Sequence, residues 1–250
     1  FLGLMLLLTA SGFSQENLNN YLEIAANNNP ALKAKFNDYM AAMEKVPQVG
    51  TLPDPTVAFG YFIQPVETRV GPQRATFNLA QSFPWFGLLS AQEDVATEMA
   101  KAIYEDFENT KSNIFFEVKT AYYNYYFIEK AIEITRENIE ILEVFKRLSL
   151  VKIEAGTASI VDELRVELEL NDLENQLALF LDTKDALQVK FNNLLDIDDS
   201  SEIIVPEVLW QEEIPLGQLN MLDEIYASNH QIKSIEHKLN AFLNQEIVAK

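Results

Sequence analysis

The segment that decides the fold covers residues 114–153 and reads IFFEVKTAYYNYYFIEKAIEITRENIEILEVFKRLSLVKI. Apolar residues recur in it at alternating steps of four and three, and only Thr135, Lys146 and Ser149 interrupt the apolar series. A repeat that averages about 3.5 residues keeps one seam of a helix facing a partner helix. The segment therefore predicts a coiled-coil helix. Its seam consists of Ile114, Val118, Ala121, Tyr125, Ile128, Ile132, Thr135, Ile139, Leu142, Lys146, Ser149 and Ile153.

The same stepping resumes after a short break at residues 155–159. Only Lys184 is polar among the second set of seam positions, which are Val166, Leu170, Leu173, Leu177, Phe180, Lys184, Leu187, Phe191 and Leu194. Two such runs joined by a turn that contains Gly156 predict a long antiparallel helical hairpin, with helices over 88–154 and 159–196. At 1.5 Å per residue the first helix would be roughly 100 Å long, far longer than a globular domain of this size. The hairpin therefore predicts an elongated protein.

Composition excludes several classes of function. The chain has 250 residues, a formal net charge of -19 and no cysteine. A nucleic-acid backbone needs a basic patch, and the sequence shows none. Without cysteine there is no disulfide, thiolate nucleophile or thiolate metal site. His230 and His237 are the only histidines, and we expect them to be solvated rather than to bind a metal. We find no nucleophile motif or phosphate-binding loop, so we expect no enzyme activity and no cofactor.

The first ten residues are almost wholly apolar, and the small residues Gly12 and Ser14 precede Gln15. This pattern is typical of the end of a secretory signal peptide, so we expect residues 1–14 to be a signal remnant, cleaved after Ser14. The alternative is the buried start of a helix. No later stretch approaches the ~18 apolar residues of a membrane helix. The sequence predicts an exported protein without a helical membrane anchor.

Two strands are predicted between the helices, over residues 56–63 and 74–83. A helix over 18–46 precedes them, and a long loop with Pro65, Arg69, Gly71 and Pro72 is expected to join them. Each has the length and alternation of a transmembrane β-strand, although a soluble two-stranded ribbon is the alternative. Two strands cannot close a barrel, so further strands must come from elsewhere. We expect membrane contact at Val57, Phe59, Tyr61, Phe77 and Leu79, a lumen face at Thr76, Asn78 and Ala80, and a strand-to-helix turn at Pro84, Trp85 and Gly87.

The end of the chain echoes its beginning. At an offset of 200 residues the matches are Leu22 with Leu222, Asn29 with Asn229, Leu32 with Ile232, Lys33 with Lys233, and Ala41 with Ala241. This suggests a repeat unit over residues 15–198, followed over 199–250 by a linker and the start of a second copy.

The order of these elements resembles the first repeat of the TolC-like outer membrane efflux family. The residues that carry the resemblance are Asn29-Pro30-Ala31-Leu32, Leu52-Pro53-Asp54-Pro55, Gln81-Ser82-Phe83-Pro84-Trp85-Phe86-Gly87 and Gly156 with Asp162-Glu163-Leu164. The resemblance implies a mainly α fold whose coiled-coil hairpin contributes to an α-barrel and whose β-hairpin contributes to an oligomeric transmembrane β-barrel. It implies a homotrimer in the outer membrane of a Gram-negative bacterium, with a large periplasmic portion. A periplasmic adaptor protein and an inner membrane transporter would be its partners, besides outer membrane lipid.

The resemblance also implies roles for single residues. Gly156, Thr157, Ala158 and Ser159 would form the periplasmic tip at which the adaptor docks. Asp162 would help to hold the periplasmic end closed; the alternative is a helix-start carboxylate that stabilises the helix dipole. The Leu-Pro-Asp-Pro and Phe-Pro-Trp-Phe-Gly segments look most like heavy-metal exporters of the CusC and CzcC type.

Three functions remain open from the sequence. The first is a passive outer membrane channel subunit of a tripartite efflux system that exports small molecules or metal cations. The second is the exit duct of a type I protein secretion system. The third is an exported coiled-coil interaction protein without a pore.

Overall fold

The computed structural model describes residues 17–209 and 218–249. The elements, in chain order, are α1 (17–28, as far as it is described), α2 (Pro30–Val49), β1 (Thr56–Thr68), β2 (Gly71–Ala80), α3 (Leu88–Glu154), α4 (Ile160–Leu195), α5 (Gln218–Ser228) and α6 (His230–Val248). The predicted signal remnant at 1–14 and part of the predicted linker, at 210–217, lie outside the described residues. Within the described ranges, none of the helices combines the length and the apolar content that crossing a membrane requires.

The predicted coiled-coil seam is confirmed. Every one of its positions in α3 and in α4 is buried or half-buried. The two helices are antiparallel, because Lys146 pairs with Glu167 near one end of their contact and Lys184 pairs with Glu129 nearer the other. The stepping of four and three therefore identifies the buried face of both helices correctly.

The chain forms two compact units, and α3 contributes to both of them. The first unit contains residues 17–33 and 111–209 of the described chain. Its core includes the ring of Tyr21, which lies 5.0 Å from Phe191 and 5.9 Å from Tyr122 between centroids. The segment after α4 is fixed to this core, since Asn192 Nδ2 donates hydrogen bonds of 2.9 Å to the carbonyl oxygens of Asp199 and Ser201.

The second unit contains residues 34–110 and 218–249 of the described chain. Helix α2 contacts α3 through aromatic rings: Phe36 lies 5.6 Å from Phe107, and Tyr39 lies 5.2 Å from Tyr104. Helix α6 contacts α3 through polar side chains instead, as described below.

The predicted long loop between the strands is wrong. Strand β1 continues to Thr68 and β2 begins at Gly71, so only Arg69 and Val70 separate them, and β2 ends at Ala80 rather than at residue 83. The pairing is regular from Thr56 opposite Ala80 to Tyr61 opposite Ala75, but it then shifts until Val66 lies opposite Gln73. Residues 62–65 thus bulge opposite a shorter stretch of β2, and Pro65 has no N–H to donate. This irregularity interrupts the alternation, which explains why the sequence pattern resembles a loop.

The predicted helix over 18–46 is divided at Asn29, and α2 extends to Val49. Asn29 Oδ1 caps α2 by accepting hydrogen bonds from the N–H groups of Ala31 and Leu32, at 3.0 and 3.2 Å. Asn229 caps α6 in the same way, at 2.9 and 3.1 Å from the N–H groups of Gln231 and Ile232. Residues 200 positions apart thus have the same local structure.

Candidate functional site

The β-hairpin has one wholly apolar face in its regular part. The strand register places Val57 opposite Leu79 and Phe59 opposite Phe77, and Tyr61 follows on the same side of β1. The five side chains that we predict to contact the membrane therefore share one face. Each is between 62% and 71% exposed. A continuous exposed apolar patch of this kind marks a surface that contacts a membrane or another protein.

The opposite face of the hairpin is small and polar, with Gly60 paired to Thr76 and Ala58 paired to Asn78. A Cβ atom at Gly60 would lie 2.7 Å from Thr76 Oγ1, so a larger residue would push the threonine hydroxyl aside. The two faces thus differ in both polarity and bulk, as the predicted lipid and lumen faces require.

The turn between β2 and α3 displays aromatic side chains. Gly87 has a φ of +86° and closes a turn in which the N–H of Leu88 donates to the carbonyl of Trp85 at 3.1 Å. Trp85 and Phe86 are 83% and 94% exposed and contact each other edge to face. Gln81 Nε2 joins the two ends of the hairpin by donating to the carbonyl of Pro53 at 2.6 Å. The predicted strand-to-helix turn is therefore an ordered structure with an apolar surface.

The turn between α3 and α4 is a Schellman motif. The N–H of Thr157 donates to the carbonyl of Lys152 and the N–H of Gly156 to the carbonyl of Ile153, both at 2.9 Å. Gly156 has a φ of +73°, which glycine adopts without strain. Ser159 then caps α4 by accepting a hydrogen bond of 3.2 Å from the N–H of Val161. Gly156, Thr157 and Ser159 are exposed and Ala158 is half-buried, so the tip presents a surface of small residues.

Asp162 lies in the first turn of α4, with its side chain exposed. Its Oδ1 is 3.8 Å from Nη1 of Arg165, one helical turn further along. This geometry suits a helix-start carboxylate. The predicted role in closing the channel requires other hairpins and stays a prediction.

Helix α3 has a second apolar seam, which was not predicted from the sequence. Its residues follow at steps of seven and are between 51% and 64% exposed: Phe127, Ile134, Ile141 and Leu148. The signal is present in the sequence as a second heptad series, but the stronger buried seam conceals it. Helix α3 therefore has one apolar face covered by α4 and another that α4 leaves exposed.

Both histidines also contact carboxylates of α3, which the sequence does not reveal. His230 Nδ1 lies 2.6 Å from Glu105 Oε2, and His237 Nδ1 lies 2.8 Å from Glu98 Oε2. Hydrogen bonds from Lys101 and then from His237 hold the pKa of the Glu98 carboxyl below its usual range. Among the described residues, no group of His, Asp and Glu side chains could hold a metal ion.

The chain matches the family model described as outer membrane efflux protein over residues 21–195. The chain belongs to the outer membrane efflux protein family. Toxin and drug export protein A of Aggregatibacter actinomycetemcomitans is 24% identical over 169 residues, which is 66% of this chain and 36% of that protein. The chain thus spans about a third of the curated relative that it matches.

Solved structures show the same fold. The outer-membrane channel OprN matches with a TM-score of 0.74 and 17% identity over 94% of this chain and 55% of that chain. CusC matches with a TM-score of 0.69 and 14% identity over 94% of this chain and 57% of that chain. The predicted fold, a coiled-coil hairpin combined with a β-hairpin as in TolC-like channels, is confirmed. The TM-score with CusC is no higher than that with OprN. The resemblance to heavy-metal exporters therefore stays a prediction.

Proposed function

We propose that the chain is part of a subunit of a passive outer membrane channel, which exports small molecules or metal cations from the periplasm as the outer part of a tripartite efflux system. The observation that carries the proposal is the β-hairpin, whose exposed side chains are apolar on one face and small or polar on the other. Family membership and the fold of the solved channels support it.

The hairpin requires completion by other strands. An isolated two-stranded hairpin is marginal in water, and in lipid only a closed barrel satisfies the backbone groups at strand edges. β1 and β2 pair only with each other in the described residues, so each has one open edge. A barrel shared by several protomers, as in a homotrimer, would close these edges while the apolar face meets lipid.

The second seam of α3 supports the same assembly. Apolar residues at steps of seven pack against a further helix of a coiled coil. If the hairpins of neighbouring protomers covered this seam, they would form the α-barrel that continues the channel through the periplasm. The exposed Schellman turn at Gly156 would then be at its periplasmic end, where an adaptor could dock and link the channel to an inner membrane transporter.

A type I secretion duct is the second candidate. The name of the relative from Aggregatibacter includes both a toxin and drugs, and these are cargoes of different size. The exposed apolar face of the β-hairpin argues against a coiled-coil protein without a pore, because such a rod has no need of it. Membership of the outer membrane efflux protein family gives no support to an enzymatic function.

The experiment that tests the proposal compares two substitutions in the full-length protein. Phe59→Arg places a charge on the apolar face, which costs up to ~2–4 kcal/mol at the middle of a membrane. Asn78→Arg places the same charge on the polar face, where a lumen tolerates it. We expect Phe59→Arg to reduce the assembled oligomer in outer membrane fractions at least several-fold and Asn78→Arg to leave it nearly unchanged. Equal loss from both would refute the barrel.

A further inference from the structure

The contact between α3 and α6 is polar where helix packing is normally apolar. His230 and His237 lie 2.6 and 2.8 Å from Glu105 and Glu98. Between them, Ser234 Oγ donates to Asp106 Oδ1 at 2.7 Å, and Lys238 Nζ lies 3.3 Å from Asp106 Oδ2. We call these contacts the α3–α6 ladder; its residues are Glu98, Glu105 and Asp106 on α3 and His230, Ser234, His237 and Lys238 on α6.

The ladder is shielded from water at some of its residues and open to it at others. Ser234 is 1% exposed, and the side chains of Glu105 and Glu98 are 14% and 16% exposed, whereas those of Asp106 and Lys238 are each 42% exposed. The other side of α6 is apolar and more than half exposed, at Ile235, Leu239, Phe242 and Leu243. This distribution reverses that of a surface helix, which buries its apolar stripe. Polar contacts therefore make up much of the contact of α6 with α3, beside the burial of Ala241.

The repeat equivalent of α6 lacks these groups. At the offset of 200 residues, α2 has Ala34, Asn37 and Asp38 in place of Ser234, His237 and Lys238. None of the three carries a positive charge, and Asp38 would bring a second carboxylate to Asp106. Helix α2 instead contacts α3 through Phe36 and Tyr39. The acidic edge of α3 therefore matches α6 and not α2.

Buried ion pairs add little net stability, but removing one partner is costly, because it leaves a charge without compensation. They therefore discriminate between partners more than they strengthen a contact. Such discrimination is useful here, because α2 and α6 begin with the same asparagine cap, so the cap does not distinguish them.

We propose that the α3–α6 ladder is a recognition code that assigns α6, and not its repeat equivalent α2, to the acidic edge of α3. It thereby prevents the two equivalent helices from exchanging places when the protein folds and assembles. This proposal is independent of the channel function, because it concerns which helices pair and not which substrate moves through a channel.

The test uses site-directed crosslinking in the full-length protein, and the described sequence has no cysteine that would compete. The pairing is reported by Val95→Cys on α3 with Gln245→Cys on α6, since both residues line one cavity. With a short bis-maleimide we expect this pair, which we call the correct pair, to crosslink efficiently in the parent protein; absence of the crosslink would overturn the proposal.

Charge substitutions then test the code itself. Asp106→Lys should lower crosslinking of the correct pair at least five-fold, and the combination of Asp106→Lys with Lys238→Asp should restore it to within two-fold. The control Asp94→Lys makes the same charge change at an exposed position of α3 and should have no effect. Replacing Ser234, His237 and Lys238 by the Ala, Asn and Asp of α2 should reproduce the loss.

Rescue by the reversed pair is the deciding observation, because it separates recognition from a general loss of folding. If Asp106→Lys leaves the crosslink unchanged, or if the reversed pair fails to restore it, the ladder is not a recognition code. The comparison of Phe59→Arg with Asn78→Arg reports the barrel separately, so failure of one proposal leaves the other intact.

Discussion

Tyr122 illustrates how a single buried side chain links folding to pH. It packs against Tyr21 and Phe191, and burial raises the pKa of its phenol to about 12. Because the folded pKa lies above the unfolded value of 10.0, folding favours the neutral phenol. This contribution to stability is fully present below pH 10 and disappears as the pH rises towards 12.

We therefore expect a spectroscopic titration of phenolate absorbance to show a late step that Tyr122→Phe removes. The same substitution should make helix content less sensitive to pH between 10 and about 12. If all tyrosines titrate together near pH 10 while circular dichroism shows an intact fold, Tyr122 is not buried as described.

Asp162 permits a test of the proposed closed end of the channel. Asp162→Ala removes the pair with Arg165 and a favourable helix-dipole interaction of ~0.3–1 kcal/mol, so the oligomer should remain assembled. If Asp162 also bonds to a neighbouring hairpin, single-channel conductance in planar bilayers should rise. Arg165→Ala is the control, since it breaks the same pair but keeps the carboxylate. Equal conductance of both variants and the parent would leave Asp162 as a helix-start residue.

At the scale of elements, Lys184 sets the register of α4 on α3. It occupies a seam position, pairs with Glu129 at 2.5 Å and lies 5.8 Å from the centroid of the Tyr125 ring. The hydrogen bond to Glu129 raises the pKa of the Lys184 ammonium, so this ammonium keeps its charge at neutral pH. A polar residue at one seam position specifies alignment at some cost in stability.

We expect Lys184→Met to lower the free energy of unfolding by about 1–2 kcal/mol, between the values for exposed and buried pairs, because Glu129 loses its partner. Adding Glu129→Met should recover most of this loss. Urea unfolding followed by circular dichroism measures both. A double variant that is no more stable than the single one would show that Glu129 does not need Lys184 as its partner.

The elements also show which features a sequence can predict. The period of apolar residues predicts the seam from Ile114 to Leu194 correctly, because burial alone determines that pattern. The strand limits are missed because the bulge at Pro65 interrupts the alternation. The ladder leaves no local signal, since His230 and Glu105 are 125 positions apart and His237 and Glu98 are 139 apart. Periodicity records which side of a helix is covered, but not which residue covers it.

At the scale of the whole molecule, the second seam of α3 predicts oligomerisation. Ile134→Asp combined with Ile141→Asp should reduce the proposed trimer at least several-fold, because two charges would be buried between neighbouring hairpins. The control Arg136→Glu alters net charge by the same amount at an exposed position outside this seam. Analytical ultracentrifugation in detergent measures the trimer. Undiminished trimer in the double variant would show that neighbouring protomers do not cover this seam.

One feature of α3 also has a mechanical consequence. The helix runs without interruption through 67 residues and contains neither glycine nor proline. These are the residues at which long helices most often kink, so α3 has no residue type at which a kink is expected. A twist applied at one end of its stretch at 111–154 must therefore be carried along that stretch or be absorbed as torsion within it. Side chains that pack on this stretch would have to slide or turn with it.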